Sequence, residues 1–354
     1  MPGAITSKNA FIPQWPPAPK VVGPTTKSAT RPTNQLPKYL SEESKKTARV
    51  NFDKAKHIAF EPPKNIVKMK DIGLEGHGIS PNAVSDPFPL FSKEAVEQIR
   101  AEVFSEEVLK DRQFCSTFNK NMIRGIGPAR APFTYSAWKS PDLISSISQV
   151  AGIDLVPSMD FEIANINISI GEGNEQATVT MVDHSPLGDG LSAVAWHYDS
   201  FPFVCVVMLS DCANMIGGET AIRTPGGDIL KVRGPSMGTA VVLQGRYIEH
   251  QALKAFGGKE RISMVTCFRP RSPAVRDETV LVGVRAISYK SELYTQYTEY
   301  RLELLEEQIR AKQREERDRQ VAKKDFDIQG MRAWLAERRD FIDSMITEIE
   351  EEDE

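Results

Sequence analysis

Ala193-Val194-Ala195-Trp196-His197-Tyr198-Asp199-Ser200-Phe201 is the stretch on which the reading of this chain turns. If it is a β-strand, residues two apart project to the same face. His197 and Asp199 then point together into one space, an imidazole beside a carboxylate. His250 follows 51 positions after Asp199, which suits a strand returning across a barrel. Two imidazoles and one carboxylate on one face of a metal, with the opposite face open, form a donor set that suits ferrous iron.

An HxD pair alone is a common chance match, and a bonded core histidine is the bland account of His197. The residues downstream change the balance. Arg261 comes 11 positions after His250, and Ser263 stands two further on, on the same strand face. A guanidinium grips a carboxylate through a forked pair of charge-assisted hydrogen bonds, and a serine hydroxyl adds a donor. An arginine in so apolar a strand is costly unless it meets an anion. A structural Asp or Glu partner is the competing account.

The surrounding pattern is mainly β with flanking helices. Ser92 can cap a helix with Glu94 in its first turn and Val96, Ile99 and Val103 at helical spacing. Ser140-Pro141 opens another, with Leu143, Ile144, Ile147 and Val150 as its stripe. The period then changes. Phe161–Ile170 alternates, Thr178–Val182 is rich in β-formers, and Phe203–Leu209, Ala240–Leu243 and Ile262–Phe268 read as further strands between glycine turns. Short strands preceded by helices fit a double-sheet jelly roll with helices packed outside. From Ala286 the pattern is helical again. The polar stretch Lys312–Lys324 interrupts any heptad repeat, so two helices folded onto the core or onto a partner subunit are expected.

The expected organisation is a Pro-rich N-terminal arm over residues 1–60, the jelly roll with its supporting helices over 61–275, and a C-terminal helical extension over 276–354. Residues 1–40 hold eight prolines and little apolar periodicity. With 354 residues, 40% of them hydrophobic, the chain can bury one sizeable core. A net charge of −4 argues against nucleic acid and acidic membranes as partners. The four cysteines lack CxxC spacing, and no apolar run approaches the ~20 residues that span a bilayer. A soluble cytoplasmic protein with reduced thiols is expected.

His197-Tyr198-Asp199, His250 and Arg261-Ile262-Ser263 together resemble the Fe(II)/2-oxoglutarate-dependent dioxygenase superfamily. The resemblance covers about residues 160–270, and Gly217-Gly218-Glu219-Thr220 is similar to that family's Gly-Gly-Glu turn. It implies a distorted double-stranded β-helix, Fe(II) on His197, Asp199 and His250, and 2-oxoglutarate anchored by Arg261 and Ser263, with O2 as the oxidant. It also implies C–H oxidation with release of succinate and CO2. The flanking Phe203–Asp211 and Gln244–Gln251 segments are similar to a fungal, secondary-metabolic branch that includes an oxygenase closing valine into an aziridine. Asp199 is present where halogenating relatives have Gly or Ala, so halogenation is not expected.

Further site candidates come from parity. Arg269 shares the face of Arg261 and can bind a substrate carboxylate, although a salt bridge at the barrel mouth explains it equally well. Asn165 and Asn167 give an amide-lined face, Asn167 toward the cosubstrate and Asn165 toward substrate, and backbone-satisfied asparagines are the alternative. Phe201 and Phe203 can wall an apolar pocket or pack in the core. Arg223 and His184 are surface residues or substrate contacts. Trp334, Phe341 and Met345 are expected to fold over the barrel mouth, Phe341 toward substrate.

The expected function is oxidation of a small molecule, an amino acid or secondary-metabolite intermediate. Hydroxylation of a protein side chain and a non-catalytic jelly-roll interaction protein are the alternatives. A homodimer through the C-terminal helices is the expected assembly.

Overall fold

A computed structural model describes residues 16–26, 29–33, 35–170, 192–212, 215–232, 236–253, 255–256 and 258–351. His184 and the Thr178–Val182 segment lie outside these residues. Every described strand pair is antiparallel. The larger sheet runs, edge to edge, through Ile66–Lys68, Asn82–Ser85, Thr239–Leu243, Phe203–Met208, Glu260–Pro270, Asn165–Ile170, Met122–Ile123 and Gln113–Phe114. The smaller sheet is Ile229–Val232, Thr220–Arg223, His250–Leu253 and Ser192–His197. Ile222 and Val232 of the smaller sheet share one apolar cluster with Val204, Val241 and Leu243 of the larger. The two sheets therefore face each other as a jelly roll.

Strand parity separates an outer from an inner face. Met264 pairs with Val207 on one side and Ile166 on the other. All three are buried in the cluster that also holds Trp138, Leu143 and Ile147 from the helices outside the sheet. Their odd-numbered neighbours Ser263, Val265 and Cys267 turn inward. Each fully buried Leu, Ile, Val or Phe contributes about 1.5–3 kcal/mol, and this helix-covered face holds the larger of the two principal clusters.

The outer helices form where capping and periodicity agree. Ser92 Oγ accepts from the Ala95 N–H at 3.2 Å and opens Lys93–Val103, whose Val96, Ile99 and Val103 are buried. Pro141 starts Pro141–Ala151, which buries Leu143, Ile147 and Val150 and stops at Gly152 with φ +72°.

The N-terminal span differs from an arm. Lys38–Lys46 and Lys54–His57 are helices, and Leu40 is buried in the outer core. Their local signals are short, and the first is docked by Leu40 with Tyr39 packed beside it and by Ser44 Oγ, which donates to the Ala101 carbonyl at 2.6 Å. Further upstream, Val21 is buried, and Arg246 donates a hydrogen bond to the Pro19 carbonyl.

At the other end, Lys290–Val321 is one helix that continues into the polar stretch from Lys312. Leu293, Tyr297 and Tyr300 bury its first half against the inner cluster, and Leu304 is buried one turn further on. Ile328–Glu348 follows, with Asp327 accepting from the Gly330 N–H at 2.9 Å as its cap. Arg301, 1% exposed, ties these helices to the loop beneath. It donates to the Asp277 carbonyl at 3.0 Å and to Ser344 Oγ at 2.7 Å, and its guanidinium lies 3.6 Å from the Phe341 ring centroid. Among the described residues no helix is long and apolar enough to cross a membrane.

Removing Arg301 leaves the Asp277 carboxylate buried without its counter-charge. Arg301→Ala is expected to lower stability by about 3–5 kcal/mol, read as a shifted denaturant midpoint. A change under about 1 kcal/mol would show that the latch carries no weight.

Candidate metal centre

The smaller sheet assembles the ligand set. His250 pairs directly with His197 across the ladder, so both imidazoles leave the same face as immediate neighbours. The 51-residue separation is thus closed between adjacent strands of one sheet and not by a crossing of the barrel. Their ring centroids are 4.3 Å apart. Asp199 follows at the strand's end, where its N–H donates to the Gly245 carbonyl at 3.0 Å. Its carboxylate reaches both rings. Oδ1 lies 3.4 Å from His197 Nε2, and Oδ2 lies 3.6 Å from His250 Nε2. One ligand atom from each residue falls within 4.8 Å of the others.

Both rings are held by their far nitrogens. His197 Nδ1 is 2.8 Å from the Ala195 carbonyl, and His250 Nδ1 is 2.9 Å from the Ile248 carbonyl. A carbonyl accepts only, so each Nδ1 carries hydrogen. In the neutral imidazole that leaves an Nε2 lone pair facing Asp199, the outer-shell arrangement that orients metal-binding histidines. Asp199 Oδ2 is itself buried and has no hydrogen-bond donor. A divalent cation would satisfy that orphan oxygen together with both lone pairs. The donor set therefore fits iron(II).

The electrostatics fit the same reading. Burial, helped by the nearby His197 charge, pushes His250 down to about 4, so it is neutral at pH 7. Burial opposes the charge on His197 too, but the Asp199 hydrogen bond and charge outweigh it and raise that imidazole. Burial likewise works against an ionised Asp199, and His250 and His197 overcome it, holding the carboxyl below its usual range.

Gly245 makes the approach of Asp199 possible. A Cβ there would collide with the Asp199 carboxylate. Phe118, whose ring centroid is 6.4 Å from that of His197, joins from the loop after Gln113–Phe114. Neither carries a motif. Gly245 has no turn signature, and Phe118 sits in an aperiodic stretch.

Arg261 and Ser263 share the inner face of Glu260–Pro270, opposite Ser169 and Asn167. Ser263 is buried. Burial holds the Arg261 guanidinium below its usual range, with the Cys212 sulfur acting the other way. Among the described residues no carboxylate pairs with it, and its one hydrogen bond, to the Gly218 carbonyl, is long at 3.4 Å. A half-buried guanidinium so weakly met is suited to an incoming anion. Asn167 stands beside Ser263, its Oδ1 accepting from Asn119 Nδ2 at 2.9 Å.

Other candidates are placed elsewhere. Phe203 is buried in the outer, helix-side cluster with Trp138, so it does not wall the pocket, whereas Phe201 belongs to the inner cluster. The alternation starting at His197 does not survive the Ser200-Phe201-Pro202 connection into the other sheet. Arg269 is taken up at the far end of its strand, donating to the Ser158 carbonyl and lying 4.8 Å from the Tyr300 ring centroid. Arg223 is committed to Glu249, at 3.0 Å, and to the Trp196 ring. Phe341 is covered by Arg301 and packs, like Met345, on the inner cluster. Asn165 lies inside the barrel, opposite Val265.

No family model matches the chain, and no curated protein does. Among solved structures it is similar to an oxidoreductase of the 2OG-Fe(II) oxygenase family from Burkholderia pseudomallei, at 14% identity over 45% of this chain and 70% of that one, with a TM-score of 0.31. It is also similar to a non-heme alpha ketoglutarate dependent carbocyclase from nogalamycin biosynthesis, at 15% identity over 52% and 79%, with a TM-score of 0.39. A third is AviO1 from Streptomyces viridochromogenes Tue57, at 14% identity over 60% and 98%, with a TM-score of 0.37. At TM-scores below 0.5 these likenesses say nothing about what this chain acts on.

Gly245→Ala is expected to displace Asp199 and weaken Co(II) or Fe(II) binding about 10- to 100-fold, measured by metal titration. Unchanged affinity would remove Asp199 from the ligand set. Metal binding should also depend on pH. His197 must lose its proton to ligate, and its pKa is raised, so affinity falls as pH drops through that value and levels off above it. Titration at pH 6 and pH 8 should show weaker binding and more proton release at pH 6.

Proposed function

We propose that this protein is an Fe(II)/2-oxoglutarate-dependent oxygenase that oxidises a C–H bond of a small molecule, releasing succinate and CO2. The observation that carries the reading is the pairing of two features. Two imidazoles, their Nε2 atoms turned inward, converge with a carboxylate, and a half-buried guanidinium without a carboxylate partner among the described residues stands on the facing sheet.

His197, Asp199 and His250 would hold Fe(II), which when bound supplies the O2-dependent oxidation of 2-oxoglutarate and substrate. The remaining roles belong to the chain. Arg261 and Ser263 would bind the distal carboxylate of 2-oxoglutarate, a forked charge-assisted contact that fixes its orientation. Asn167, beside Ser263, would help to position it. The apolar lining supplied by Val204, Val241 and Leu243 would help to keep water from the bound molecules. The complete ligand set speaks against a non-catalytic interaction protein.

Within this class, closure of valine to an aziridine is the specific reaction suggested by the segments flanking the triad. Incubation with L-valine, 2-oxoglutarate, Fe(II) and air should then yield a product two hydrogens lighter than valine.

The class is tested with 2-oxoglutarate turnover. Succinate should form with Fe(II) in air. Asp199→Ala should abolish iron binding and turnover together. Arg261→Ala should raise the KM for 2-oxoglutarate at least about tenfold, the value of a lost charged hydrogen bond, while iron binding persists. No iron binding, together with no succinate across a substrate panel, would overturn the reading.

A further inference from the structure

The helix Ile328–Glu348 carries a second apolar line that its own fold leaves uncovered. One side of the helix packs inward, where Phe341 and Met345 join the inner cluster and Ser344 Oγ accepts from Arg301. On a neighbouring side stand Ile328, Leu335, Ile342 and the capping residue Ile349, seven residues apart throughout, with Ile346 one turn beyond Ile342. All five are between 39% and 67% exposed. A spacing of seven keeps side chains on nearly one line of a helix. From Ile328 to Ile349 that line runs about 30 Å, at ~1.5 Å per residue. Apolar residues exposed singly need no explanation, whereas a contiguous line of them marks a contact surface.

Two charges beside the line indicate what covers it. Arg332 and Asp343 are exposed, and among the described residues neither side chain has a hydrogen-bond or ion-pair partner. They stand 11 residues apart, close to three full turns, so both lie on one flank of the apolar line. A second copy laid antiparallel across a two-fold axis between Arg338 and Arg339 sets Leu335 against Ile342 of the partner subunit. The same register sets Ile328 against Ile349 of the partner subunit. Antiparallel helices keep equal flanks on the same side of their seam. Arg332 then stands about 3 Å along the axis, or two residues, from Asp343 of the partner subunit. The two-fold repeats that pair. Parallel pairing would send the flanks to opposite sides and leave both charges unmet. The arginines at the axis are already engaged within the chain, Arg338 by Glu337 at 3.2 Å and Arg339 by Asp340 at 3.1 Å.

We propose that this face is the interface of a homodimer in which Ile328–Glu348 pairs antiparallel with the same helix of a second copy. One patch serves both subunits, as a two-fold interface requires. The apolar line supplies the attraction, and burying it on both copies removes it from water together. The Arg332 and Asp343 flank supplies direction, since charges at the rim of an interface set register and orientation more than strength. The patch thus satisfies its own apolar and charged groups under a single symmetry operation, which is why a second copy of this chain is its occupant. The proposal does not depend on the chemistry of the candidate centre.

The test is sedimentation velocity of the full chain over a range of concentrations. Wild type should sediment at twice its 39.4 kDa. Leu335→Glu and Ile342→Glu alter exposed positions and should each give a monomer with the wild-type circular dichroism spectrum. Arg332→Asp and Asp343→Arg should each weaken the dimer at least about threefold, because two exposed ion pairs are replaced by like charges. The double variant should recover the wild-type affinity. Register is read by cysteine cross-linking. Leu335→Cys and Ile342→Cys in one chain lie about 10 Å apart on their own helix, too far to bridge within it. Under mild oxidation that chain should form a covalent dimer, and neither single cysteine variant should. A monomeric wild type, a dimer of wild-type strength in both glutamate variants, or cross-linking by a single cysteine variant overturns the pairing. Should the glutamate variants fail to fold, the charge series decides alone, and a double reversal no tighter than its singles overturns it.

Discussion

Two backbone carbonyls decide what the candidate centre can be. By accepting from Nδ1 of His197 and His250, the Ala195 and Ile248 carbonyls fix both tautomers and turn both Nε2 atoms toward Asp199. Each acceptor lies two residues before its histidine, so the local backbone provides the bond without a dedicated side chain. The smaller sheet's register then sets His250 against His197. A one-residue slip in that ladder would turn one imidazole to the opposite face. The room left by Gly245 is the remaining requirement, since any side chain there would occupy the carboxylate's place.

Such a centre has to be supported by a sheet that can carry polar groups inside. The larger sheet does so by dividing its faces. Ile262, Met264 and Phe268 lock it to the outer helices, and that apolar packing offsets the cost of Arg261, Ser263, Asn165 and Cys267 on the other side. The C-terminal helices close the inner cluster through Tyr297, Tyr300 and Met345, held by Arg301 and by Glu348, which accepts from the Leu281 N–H at 2.6 Å.

Much of this was legible in the sequence wherever a rule acts within one element. Parity within Glu260–Pro270 put Arg261, Ser263 and Cys267 on one face, and capping with helical period located the helices opened by Ser92 and Ser140. Parity failed where the chain changed sheets, which is why Phe203 falls on the outer face although it continues the count from His197. It could not report occupancy either: Arg269 keeps the expected face but is engaged by Ser158 and Tyr300. Long-range meetings left no local trace. Nothing near Gly245 announces the approach of Asp199, and the Arg124–Glu162 contact joins segments 38 residues apart that share no motif.

The inner face of the Glu260–Pro270 strand also changes character from one end to the other. From Arg261 to Cys267 is six residues, about 20 Å at ~3.3 Å per residue. One end presents a guanidinium with no carboxylate partner among the described residues, and the other adjoins the buried Glu162 carboxylate. The Cys267 end is thus met from within the chain by the Arg124–Glu162 ion pair, and the Arg261 end is the one left open to an incoming anion.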